Sequence, residues 1–151
     1  MKWWRSVTSN LNTSLPVWVA ALWWGSLSTV GFVVVPLLFV HLPTPALAGG
    51  MAAKLFTAQT WLSVVCGLYL LLVTNKKQAA APNSRAQAAI VFIVSGMLLA
   101  LLSEFAVAPR IVARENLRLW HSVGSVMYAL QWVCAVATLH KWVSLRPADQ
   151  V

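Results

Sequence analysis

The chain has 151 residues, 60% of them hydrophobic and only 9% charged. Soluble domains sit at about 45–50% apolar and about 25% charged, so a water-soluble globule and a disordered chain are both excluded. Lys and Arg outnumber Asp and Glu by 11 to 3, but they lie in tails and loops between apolar runs; that pattern encodes membrane topology rather than nucleic-acid binding.

Crossing a bilayer as a helix takes about 20 apolar residues. A tail over residues 1–14 carries Trp3 and Trp4 as surface anchors, and the first span then runs over about 15–40. Its 26 residues would reach about 39 Å as a helix, more than a hydrocarbon core of roughly 30 Å requires. The excess predicts tilt, or a bend at Pro36. Ala46-Leu47-Ala48 looks like a signal cleavage site, but the preceding run far exceeds the roughly 7–15 residues of a signal core, so the span is read as retained. The second span covers about 51–74, the third about 86–109, ending at a second expected kink, Pro109, and the fourth about 119–140. The transmembrane domain is 15–143, followed by a tail over 144–151. A polar loop from Asn75 to Arg85 divides the chain into two helix pairs with no convincing repeat between them. The alternating short segments of a β-barrel are missing. The expected fold is an all-α integral membrane four-helix bundle.

Lys2, Arg5, Lys76, Lys77, Arg85, Lys141 and Arg146 fall on one side of such a bundle, and Arg110, Arg114 and Arg118, with Lys54 just inside a span, on the other. Seven against four places both termini in the cytoplasm, in the inner membrane if the source is bacterial. The basic face then meets anionic lipid. Trp18 and Trp142 fall at the cytoplasmic interface and Trp120 at the outer one.

Helices in lipid associate through close backbone approach at small residues. Ala21, Gly25 and Ser28 fall at i, i+4 and i+7 with Gly31 flanking, and Gly96 and Ser125 mark similar patches on the third and fourth spans. These are the expected helix-packing seams, and the surface a second copy or another membrane protein would use. Cys66 and Cys134 lie inside apolar runs with no CxxC or zinc spacing, so they read as small hydrophobes.

Glu104 is the one acid within a span, five residues before Pro109. A charge in lipid costs several kcal/mol and marks a functional site by default. Lys54 and His121 enter from the outer ends of neighbouring spans, and Arg110 follows at the helix end. The expected site is an outer polar cluster of Lys54, Glu104, Arg110 and His121, with Glu104 paired to Lys54 or His121. Such a cluster serves either as a structural lock or as a site for a proton, an ion or a polar headgroup. His121, Ser125, Tyr128 and Trp132 share one stripe of the fourth helix; it either lines an outer cavity or buries its aromatics with one hydrogen bond each. His41 and His121 stand at matching outer depth, as bis-His haem or copper ligation would need; His140 is at the wrong end to join them. No nucleophilic, zinc-protease or nucleotide-binding motif is present.

Residues 22–39 carry Trp24-Gly25, Gly31-Phe32 and Pro36 to Phe39, followed by Ala48-Gly49, Leu55-Phe56, Ala108-Pro109-Arg110-Ile111 and His121-Ser122. In these features the chain resembles the domain-of-unknown-function 4149 family, related to transmembrane protein 205, over about residues 17–140. The resemblance implies a four-helix membrane protein. The first helix is distantly similar to CopD and HemJ-type membrane domains, with the spacing from Phe39 to His41 one residue short. Three functions remain open from the sequence: a binding or transport-accessory protein with an outer polar pocket, a haem or copper protein using His41 and His121, and an assembly partner of another membrane protein.

Overall fold

Lipid offers backbone polar groups no partner, so an apolar run must satisfy its hydrogen bonds within itself, as helix. A computed structural model describes residues 2–82 and 84–144, with side chains from Ser14 onward. The side chains of Lys2, Trp3, Trp4 and Arg5, and the tail with Arg146, lie outside the described residues. Four helices are long and apolar enough to cross a membrane: Ser14–His41, Pro45–Ala80, Ser84–Val112 and Leu117–Ser144. No strand occurs among the described residues. The chain is a multi-pass membrane protein.

The first span joins α1 (Lys2–Thr29), a π-helical turn at Val30–Val34 and α2 (Val35–His41). The second is α3 (Pro45–Ala80). The third joins α4 (Ser84–Leu102), a second π turn at Ser103–Val107 and α5 (Ala108–Val112), and the fourth is α6 (Leu117–Ser144). Helix thus continues from the N-terminal tail directly into the first span. Thr44 and Pro45 start α3 well before Met51: the Thr44 hydroxyl accepts from Leu47 N at 3.3 Å, and proline suits the first helical position. At its other end α3 runs on through Lys76 and Lys77, so the polar connection shrinks to Ala81, Pro82 and residue 83. Arg114 and Asn116 take positive φ (57° and 34°) in the short turn before α6.

Both interrupted helices share one device. Pro36 is the second residue after the first π turn, and Pro109 the second after the second. Proline has no N–H, and its ring collides with the carbonyl four residues back. Widening the helix by one residue in the preceding turn accommodates both defects. Val35 N–H bonds Val30 O, and Ala108 N–H bonds Ser103 O, closing the five-residue registers. The irregularity expected at Pro36 therefore falls in the turn ahead of it. The two helix pairs share a pattern that the side chains hide: a helix interrupted by a π turn, then an uninterrupted one.

The spans close a ring in which α4 packs on α3 and α6, and α1 on α6 and α3. Ala20, Trp23, Leu27, Leu70, Ile93, Ala135 and Trp142 form the buried core. Leu22, Phe32, Leu72, Val91 and Val126 are exposed, as expected of side chains that face lipid rather than water.

Candidate functional site at the second π turn

Two polar seams hold the middle of the bundle. In the first, Gln59 Nε2 on α3 donates to Ser26 Oγ on α1 (3.0 Å) and to Ser63 Oγ (3.4 Å). Gln131 Nε2 on α6 donates to the same Ser63 Oγ at 3.0 Å, so one hydroxyl joins α3 to α6. In the second seam, Tyr128 OH donates to Leu27 O and Trp132 Nε1 to Ser28 Oγ, each at 2.8 Å. The Trp132 ring also lies 6.0 Å from both Trp24 and Phe32. The stripe on α6 therefore divides. Tyr128 and Trp132 pack against α1, while His121 and Ser125 are exposed and the Ser125 hydroxyl turns back to His121 O.

The small residues of α1 divide as well. Ser28 and Gly31 face α6, and a Cβ on Gly31 would meet Tyr128 Cε1 at 2.5 Å. Gly25 lies about 120° round the helix from Gly31, at roughly 100° per residue, and nothing lies within 4 Å of a Cβ built there. Ala21 and Gly25 instead line an open groove of about 580 Å³ between α1 and α3, with Ser26, Thr29, Ala58 and Gln59. Gly96 on α4 faces Trp23 and Cys134, with Trp23 Cη2 2.8 Å from a Cβ placed there. Gly67, which sequence spacing did not single out, meets Met97 in the same manner across α3 and α4.

Glu104 lies in the second π turn, half-buried. Thr57 Oγ1, from α3, donates to Glu104 Oε1 at 2.8 Å. Among the described residues no cation stands at ion-pair distance from this carboxylate. Lys54 is exposed one turn from Thr57, and Glu104's hydrogen-bond partner is a neutral hydroxyl where a cation was expected. Arg110 serves its own helix end: Nη1 donates to Ala106 O at 2.9 Å, and the guanidinium lies 4.4 Å from the centroid of Trp120. The four residues of the expected outer cluster thus have separate roles, with Glu104 drawn inward to α3. Thr57 and Ser103 escaped the sequence reading; the signal available for them was a hydroxyl at the same depth as the lone acid. The Ser103 hydroxyl is buried without a hydrogen-bond partner.

His41 ends α2 with Nδ1 3.1 Å from Leu37 O, one turn back in its own helix. α2 packs on α3, whereas His121 lies exposed near the start of α6. Among the described residues no three or more His, Cys, Asp or Glu side chains gather as a metal would need. Cys66 and Cys134 are free.

A family defined as a domain of unknown function, DUF4149, matches residues 18–119, more than half of the chain. The chain belongs to the DUF4149 family. The matched stretch takes in both π turns, Pro36, Pro109, Thr57 and Glu104, and stops before Tyr128, Gln131 and Trp132. Comparisons with curated proteins and with solved structures returned no match.

Proposed function

We propose that this membrane protein binds a small polar or ionic ligand at Glu104, with both termini in the cytoplasm and the site reached from the outer side. One observation carries the reading: an acid within a span is held by the Thr57 hydroxyl at 2.8 Å, with no cation at ion-pair distance among the described residues. A structural lock would neutralise the charge within the protein. A neutral hydroxyl orients a carboxylate but leaves its charge to be balanced by something that exchanges. The setting supports the reading, because π turns inside α-helices recur at functional sites. The orientation rests on the count of basic residues, seven against four, on the two sides of the bundle.

Infrared difference spectroscopy of the purified protein, exchanged at fixed pH between sodium, potassium, ammonium and choline salts, tests this. A carboxylate band that shifts with the bathing ion in the wild type and disappears in Glu104→Gln is the expected result. Identical difference spectra for the two proteins would overturn the reading.

A further inference from the structure

We propose that the second π turn is a binding site for a small monovalent cation of the sodium or potassium class. The Glu104 carboxylate supplies the charge, and the Thr57 hydroxyl, the Ser103 hydroxyl and the Glu104 carbonyl supply neutral oxygens. The inference rests on the reading of Glu104 as the ligand site and names its ligand.

The backbone provides the first argument. Ala108 N–H bonds Ser103 O, which is the last closed bond of the π register. The next carbonyl in that register belongs to Glu104, and its donor would be Pro109, which has no N–H. A carbonyl without its register donor thus sits on the same residue as the carboxylate. Interrupted membrane helices use such carbonyls to coordinate cations, and interruptions at corresponding places in two halves of a chain point to the site. The two halves here are each interrupted two residues before a proline.

The side chains provide the second. The hydroxyls of Ser28, Ser63, Thr74 and Thr138 all donate to a carbonyl four residues back in their own helix. Ser103 Oγ is buried and has no partner, so the residue before the acid carries an unused hydroxyl. Thr57 spends its proton on Glu104 and keeps its oxygen lone pairs.

The charged and titratable groups on the elements packed against this turn leave the carboxylate unpaired. Lys54 on α3 and Arg118 and His121 on α6 are exposed, Arg110 on α5 is engaged by Ala106 O and Trp120, and Tyr128 on α6 by Leu27 O. The first π turn differs in being filled, since the Tyr128 ring covers Gly31. One carboxylate among neutral oxygens suits a singly charged hard cation. Divalent ions require more charge, and transition metals softer ligands.

The test uses the full chain in lipid nanodiscs. Its thermal unfolding is followed in sodium, potassium and choline chloride at equal ionic strength, and repeated at lower pH. A saturable rise of Tm in sodium or potassium but not choline is expected, with a half-saturation concentration that increases as protons compete at lower pH. Glu104→Gln should abolish the rise, and Ser103→Ala should weaken the apparent affinity by about tenfold, equivalent to ~1.4 kcal/mol. An equal rise in choline, or a sodium response retained by Glu104→Gln, would overturn the proposal. A Glu104-dependent response to protons without cation selectivity overturns the cation and keeps the site. A lack of any Glu104-dependent response overturns both. Should Glu104→Gln fail to fold, unchanged sodium affinity in both Ser103→Ala and Thr57→Val is the overturning result.

Discussion

Thr57 and Glu104 meet across two spans, hydroxyl to carboxylate at 2.8 Å, with Lys54 exposed one turn away on the same helix as Thr57. Removing the hydroxyl leaves a part-buried acceptor short of its donor, which costs about 1–3 kcal/mol. Thr57→Val should therefore destabilise the bundle by that amount, whereas Lys54→Ala should stay within about 0.5 kcal/mol, as exposed substitutions do. Reversible unfolding in mixed micelles measures both. A larger loss for Lys54→Ala would mean that the acid is paired with the lysine after all.

Ser63 accepts from two amides on two helices, Gln59 at 3.4 Å and Gln131 at 3.0 Å. Ser63→Ala strands the Gln131 donor and leaves Gln59 with its bond to Ser26, so a loss of about 1–3 kcal/mol is expected. Adding Gln131→Leu to Ser63→Ala should recover part of that loss. A double-mutant cycle reads the coupling directly, and strict additivity would show that the amide does not depend on this hydroxyl.

The glycines of α1 and α4 make opposite predictions. A methyl on Gly96 would press on the buried Trp23 ring at 2.8 and 2.9 Å and on Cys134 Cβ at 3.3 Å. Gly96→Ala should cost about 1–3 kcal/mol, as overpacking does. Gly25 has open space around it, so Gly25→Ala should be neutral or raise stability by up to about 1 kcal/mol through helix propensity. Melting curves of the two variants side by side decide; a destabilised Gly25→Ala would show that the groove is occupied at close range.

Trp132 reaches Ser28 with its N–H and covers Trp24 and Phe32 with its ring. Trp132→Phe keeps most of the ring contact and loses the hydrogen bond, worth about 0.6 kcal/mol on average within a membrane. Trp132→Ala also loses the packing and should cost about 3 kcal/mol or more. Similar losses for the two variants would assign the α1–α6 seam to the hydrogen bond instead of the ring.

The membrane class, the number of spans and the DUF4149 resemblance were legible in the residues because each depends on local content: runs of about 20 apolar residues and short motifs. Pro36 and Pro109 were visible too, but their effect was not, since the turn before each proline absorbs it. The lone acid within a span was legible in the sequence and its hydrogen-bond partner was not. Charge arithmetic favoured Lys54 or His121 for Glu104, yet arithmetic does not know which way a helix is turned. The same rotation separated Gly25 from Gly31 and brought Gln131 inward to Ser63.

Sequence alone determined that this chain lives in a bilayer as four helices, because the cost of exposing backbone polar groups to lipid is paid locally, span by span. Only the tertiary structure decided which polar side chains meet. With lipid as apolar as the helix surfaces, burial gives no preference for one rotation over another. Close approach at Gly96 and Gly31, and the few hydrogen bonds available to Gln59, Gln131 and Glu104, set the register instead.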